Sequence, residues 1–153
     1  MAGGTAKGDS ESTMTFTVES ANRTLPLVKA IVGDIVTLHR DVSERRARLD
    51  KLRQRRDGRT RRDDPYREEV EQIEQGLDDD VVRLQSYVAE LNEIGIELKD
   101  PAVGLVDFPT LMDGKQAFLC WKLGESEVQF WHSAEVGFAN REPLNSRPTD
   151  HAV

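Results

Sequence analysis

The chain has 153 residues, 37% hydrophobic and 32% charged, with a net charge of −7 at neutral pH. This composition fits one soluble domain with a thin core and a large polar surface. A single cysteine, Cys120, excludes an internal disulfide framework and a multi-cysteine metal site, and fits a reducing, cytoplasmic compartment.

Residues 1–13 are Gly, Ser, Thr and charged groups without periodicity, and read as a disordered tail with no signal-peptide core. Thr15–Val18 reads as an extended lead-in to a first helix over about 18–56. Pro26 belongs in a first turn, so either Thr24 caps the main helix or a short turn from Val18 bends there. Val28, Ile35, Val42 and Leu49 fall seven apart, and Ile31, Leu38 and Leu52 lie three later, with Arg45 as the break in this coiled-coil-like heptad seam. The longest apolar run, Leu25–Val36, is interrupted by Lys29 and Asp34. It is far shorter than the roughly 20 residues of a membrane span.

The seam dissolves into a basic loop over 57–64. Asp63, Asp64 and Pro65 then signal a second helix over about 65–98, with Asp as cap and Pro65 as first helical residue. Val70, Leu77, Leu84, Leu91 and Leu98 repeat every seven. The two helices form an antiparallel hairpin. A lone hairpin leaves much of each apolar stripe wet, so a homodimer through the hairpin is expected.

From residue 101 the period switches from helical to two. Of the nine aromatic residues in the chain, six lie between Phe108 and Phe138. Leu105–Pro109, Gln116–Trp121 and Glu127–His132 are the expected strands of a three-stranded antiparallel meander, turning at Asp113-Gly114 and again at 123–126. Ala117, Leu119 and Trp121 share one face, and Phe118 and Cys120 the other. In the third strand Val128, Phe130 and His132 share a face. The expected module spans 101–141 on the base of the hairpin, and 142–153 reads as a loose tail. The fold class is α+β, mostly α.

These residues resemble a bacterial family known as a domain of unknown function, number 2203. The resemblance covers about residues 14–144. It rests on F-T-x-E-x-A-N from Phe16 with Leu25-Pro26, on G-x-V-D-F-P from Gly104, on L-C-W-x-L-G-E from Leu119, and on Trp131-His132 with G-F-x-x-R from Gly137. It implies a small, cytoplasmic, mostly helical protein and carries over no activity, cofactor or catalytic residue.

His132 is the residue around which chemistry is most easily written. With Asp107 and Glu125 it makes a candidate divalent-metal set, and with Asp107, Glu125 and Arg141 a candidate acid–base site. The competing reading is a satisfied structural histidine. Asp107 points opposite Val106 and Phe108, and Arg141 is its expected partner. Glu125 reads as solvated in its turn, and Cys120 as a small buried hydrophobe. His39 reads as a seam or interface histidine. A second candidate surface is the hairpin tip, where Arg45, Arg46, Arg48, Lys51, Arg53, Arg55, Arg56, Arg59, Arg61 and Arg62 face only Asp50 and Asp57. That is a net +8, leaving −15 on the rest of the chain. The bland reading of the tip is a solvated surface; as a docking site it would suit an acidic protein partner. Nucleic acid is the weaker alternative, because no aromatic residues interleave the cations. The expected function is a non-enzymatic dimeric scaffold or interaction protein. The alternative is a small enzyme or metal- or ligand-binding protein working around His132.

Overall fold

Thr17 fixes where the first helix begins. In the computed structural model, which describes residues 15–55 and 64–144, Thr17 Oγ1 accepts the Ser20 amide at 3.0 Å and Ser20 Oγ accepts the Thr17 amide at 2.9 Å. This reciprocal cap satisfies two of the donors that a helix start leaves open. The expected tail over 1–13, most of the basic loop and all of 145–153 lie outside the described residues. Thr17→Ala should lower stability by about 1 kcal/mol, read as a shift of the urea midpoint at unchanged m-value. No shift would mean that Phe16, not the cap, sets the helix start.

Helix α1 runs unbroken over Val18–Arg55, about 57 Å at 1.5 Å per residue. Pro26 therefore sits in the third turn, and the sequence-based restart at Thr24 is corrected. An interior proline costs an isolated helix about 3 kcal/mol. Ala21, Leu25 and Val28 beside it are buried, and burial of such side chains at about 1.5–3 kcal/mol per large one outweighs the break. The Thr24 hydroxyl bonds back to the Ser20 carbonyl at 2.8 Å and caps nothing.

After a turn at Pro65-Tyr66, helix α2 spans Arg67–Ile94. Asp64 does serve this start, because its Oδ1 accepts the Tyr66 amide at 2.9 Å, but the helix begins two residues later than Pro65. It also ends sooner than the heptads imply. Gly95 takes a left-handed φ of 100°, its amide bonds the Asn92 carbonyl, and the Ile96 amide bonds the Leu91 carbonyl. That pair of hydrogen bonds terminates a helix, and the buried pair Leu91 and Ile96 closes it with an apolar contact. Leu98, seven beyond Leu91, is in a strand.

The helices pack as an antiparallel hairpin with two buried clusters. One lies at the base with the sheet; the other joins Val42, Leu49, Leu52, Val70 and Leu77 toward the tip. Arg45, the break in the first heptad, is an inter-helix contact: its guanidinium bonds Asp80 of α2 and lies 2.9 Å from Asp41. Gly76 makes room, since a Cβ there would approach Arg45 Nη1 to 2.9 Å.

The C-terminal module is a five-stranded antiparallel sheet in sequence order, not a three-stranded meander. Its strands are β1 (Glu97–Asp100), β2 (Leu105–Met112), β3 (Lys115–Lys122), β4 (Phe130–Ser133) and β5 (Glu142–Pro143). A 3₁₀ turn, Phe138–Asn140, separates the last two. Asp113 and Gly114 both have positive φ (54° and 79°), as a two-residue hairpin turn requires, and this sets the register Met112↔Lys115. The expected third strand shortens to Phe130–Ser133. Residues 142–144 are not loose: β5 pairs with β4, and the Leu144 amide bonds the Gln129 carbonyl at 2.8 Å. The lead-in extends the other edge, where the Phe16 amide donates to the Pro109 carbonyl and Thr110 Oγ1 donates to the Phe16 carbonyl. The inner face of the sheet packs on the base of the hairpin through Val106, Phe108, Leu119, Trp121 and Trp131. The fold is α+β, mostly α. Among the described residues no helix is long and apolar enough to cross a membrane.

Candidate functional site

Strand alternation sends Asp107, Phe118, Cys120, Phe130 and His132 to the face of the sheet away from the helices. The register sets Asp107 beside Cys120, Cys120 beside Phe130, and Phe118 beside His132. Val128 does not join them. It precedes β4, lies in the helical core at 2% exposure, and its amide donates to Asn22 Oδ1 at 2.6 Å.

His132 and Asp107 meet on this outer face, yet both are closed off from water, with side chains 6% and 3% exposed. Phe118 stacks on the imidazole with ring centroids 5.4 Å apart. His132 Nδ1–H donates to the Ser133 carbonyl at 2.9 Å, and Nε2 lies 3.1 Å from Asp107 Oδ2. Both ring nitrogens thus face acceptors. A bare Nε2 opposite a carboxylate would set two lone pairs against each other, so one proton lies between the two groups. It makes either an imidazolium and a carboxylate or an imidazole and a carboxylic acid, and in both forms the pair is neutral overall. Burial pushes the Asp107 carboxyl above its ordinary range, opposed chiefly by His132 and then by Lys99. Among the described residues Asp107 Oδ1 is buried without a hydrogen-bond partner, which further favours the protonated acid.

The expected Asp107–Arg141 pair does not form. Arg141 instead bonds Glu125 at 2.6 Å, and its guanidinium carbon lies 3.8 Å from the Phe130 ring centroid. Glu125 is correspondingly not solvated. Its side chain is 16% exposed, and Oε1 accepts the Lys122 amide at 3.0 Å, closing the turn between β3 and β4. The physical reason is length: an arginine following the 3₁₀ turn reaches across Cys120 to the turn carboxylate, while the shorter imidazole already occupies Asp107. Cys120 is fully buried, and burial pushes its thiol up to about 11, so it stays un-ionised at neutral pH. Of the residues proposed from sequence, His132 and Asp107 are together, Glu125 and Arg141 are together, and Arg141 Nη1 approaches Cys120 Sγ at 3.8 Å. Among the described residues no group of three or more His, Cys, Asp or Glu is placed to hold a metal ion.

The basic tip is partly spent on the hairpin itself. Arg45 bonds Asp80, Arg48 bonds Glu69 at 3.0 and 3.2 Å, and Arg53 bonds Glu74 at 2.5 Å. Arg46, Lys51 and Arg55 are exposed on α1, and Arg56, Arg59, Arg61 and Arg62 lie outside the described residues. The exposed cross-helix pairs contribute little individually, being screened by solvent, but opposite charge on the two helices favours this register.

Two open features lie on the surface of the described residues. A groove of about 400 Å³ runs between α1 and α2, floored by Val42, Val81, Leu84 and Val88 with His39 and Arg46 at its rim. A larger cleft of about 870 Å³ lies where α1 begins, between its first turns and the ends of β2, β4 and β5. Sequence reasoning missed Asn22, which ties α1 to the loop before β4. The only available signal was its place in the F-T-x-E-x-A-N stretch, since a polar residue on a helix gives no hint of a bond 106 residues away.

A family model described as "Uncharacterized conserved protein (DUF2203)" matches residues 14–144, most of the chain. No curated protein and no solved structure matches it.

Proposed function

The chain belongs to the uncharacterised DUF2203 family, and for this member we propose a non-enzymatic role as a homodimeric scaffold or interaction protein that associates through its helical hairpin. The observation that carries this reading is the groove between the helices. Leu84 and Val88 are only half-buried there, and Val82 on the adjacent surface is 65% exposed. A second hairpin seated in the groove would cover this stripe. Charge favours a second copy as occupant. Arg40 and Arg46 are exposed on α1, and Asp78 is exposed on α2 one turn before Val82. Arg46 at the rim of the groove gives a carboxylate of the second copy a cation to pair with. The exposed cations Arg46, Lys51 and Arg55 extend the reading to an acidic protein partner at the tip, and the single buried thiol fits a cytoplasmic setting. The alternative, an enzyme or metal site at His132, has that residue's burial against it: the imidazole is stacked on Phe118 and bonded at both nitrogens.

Light scattering after gel filtration tests the dimer. The wild-type chain should elute at about twice its 17.3 kDa mass, with the population shifting by mass action on dilution. Val82→Arg combined with Ala89→Arg, both at exposed positions, should give a folded monomer. A wild-type monomer at about 100 μM, a concentration where even weak dimers with a Kd in the micromolar range are populated, would end the proposal.

A further inference from the structure

Beyond the dimer, we propose that the cleft at the start of α1 binds an amphiphilic organic cation, an ammonium carried on an aliphatic or aromatic body. Its volume, about 870 Å³, is in the range of small-molecule sites. The walls are largely apolar: Val18, Leu111, Met112, Val128, Phe130 and Leu144. Val18 and Leu111 are 37% and 48% exposed, an arrangement that costs free energy unless something covers them.

The polar groups of the lining are largely committed to the fold. Thr17 caps α1, Thr110 Oγ1 donates to Phe16, and Asn22 Oδ1 holds the Val128 amide. Among the described residues, the ionisable side chains lining the cleft are Glu19 and Glu127, and no lysine or arginine lines it. Of the cations nearby, Arg141 lies over the Phe130 ring and bonds Glu125, Arg23 pairs only weakly with the rim carboxylate Glu19, and Lys29 bonds outside the cleft. Arg23 lies 3.8 Å from Glu19 with both side chains exposed, a weak pair, and Lys29 Nζ donates to the Ser126 carbonyl at 3.3 Å. The positive end of α1 would by itself favour an anion. The Thr17–Ser20 cap already occupies two of its four open donors, and two full carboxylates exceed the half charge of a helix end. An apolar body in the walls and an ammonium at the Glu19–Glu127 rim satisfies both features.

The test is titration of the full chain with n-octylammonium, octanoate and octanol, followed by amide chemical shifts at low ionic strength. Octylammonium should bind saturably, about tenfold or more tighter than octanoate, because each rim carboxylate acts with opposite sign on the two head groups. Shifts should centre on residues 17–22, 110–112 and 127–130. Glu19→Gln with Glu127→Gln should bring the two ions within about threefold of each other while leaving octanol unchanged. Leu111→Trp, at a half-exposed position the fold tolerates, should weaken all three ligands. Equal or tighter binding of octanoate would overturn the charge assignment. Absence of saturable binding, or shifts centred on the groove between the helices, would overturn the site.

Discussion

Gly104→Ala should destabilise the protein by about 2–4 kcal/mol, the sum of a left-handed-backbone penalty and overpacking. Gly104 has φ +75°, where an L side chain meets its own backbone. A Cβ there would also stand 2.8 Å from both Leu123 Cβ and Val32 Cγ1, and 3.1 Å from Val36 Cγ2. Neither source of strain has an easy exit. Val32 and Val36 are buried β-branched residues on α1 with one preferred rotamer in a helix. The backbone is tied on both sides, because the Gly104 amide donates to the Asp100 carbonyl and its own carbonyl accepts the Leu123 amide. Gly104 lies against Val32 and Val36 of the hairpin, so the substitution should loosen the interface as well as the turn. Thermal unfolding should show the loss as a fall in Tm of roughly 10 °C. Gly33→Ala is the control: it lies in α1, where a Cβ would meet nothing within 4 Å, and should be neutral or stabilising by up to about 1 kcal/mol. A Gly104→Ala protein within about 1 kcal/mol of wild type would mean that the helix–sheet contact is softer than the packing implies.

How far the sequence was legible follows from which signals are local. The heptad positions Val28, Ile35, Val42 and Leu49 are all buried, because spacing alone determines which side of a helix faces its neighbour. The Asp113-Gly114 turn was legible for the same reason: two positive φ values in sequence admit few residue pairs. The failures are tertiary. Seven-residue spacing carried Leu98 into α2, while the helix stops where Gly95 turns left-handed and Ile96 drops into the core. Pro26 reads as a breaker from propensity, and the packing of Leu25 and Val28 overrides it. Pairing Arg141 with Asp107 follows from charge alone, which ignores reach. The five-stranded sheet was invisible at its edges because β1 and β5 are four and two residues long, too short to show alternation. The cleft could not be read at all, since its lining comes from α1, three strands and the loop before β4.

His132→Ala should cost about 3–5 kcal/mol at neutral pH, the range for removing one partner of a buried ionisable pair. It should also change how stability depends on pH. In the wild type, burial raises the folded-state pKa of Asp107 above its ordinary 3.8, and His132 holds that rise in check through charge and hydrogen bonding. A carboxyl with a raised folded pKa contributes stability that is fully present below its unfolded value and is lost as pH climbs through the folded one. Removing His132 removes the restraint, so the folded pKa of Asp107 rises further and the loss extends to higher pH. Over that added interval, stability relative to wild type should fall by up to about 1.4 kcal/mol per pH unit. Asp107→Asn is the companion variant. Its amide can donate to Nε2 while Nδ1–H keeps the Ser133 carbonyl, so it should retain most of the stability without this carboxyl's titration. Relative to the double variant His132→Ala/Asp107→Asn, the His132→Ala protein should show the fall with pH from Asp107 alone, because neither carries the imidazole. Urea midpoints from pH 4.5 to 8, taken as differences between variants so that the other carboxylates cancel, read all three. A His132→Ala profile parallel to wild type would show that the two groups do not share a proton, and would reopen His132 as a residue free to do other chemistry.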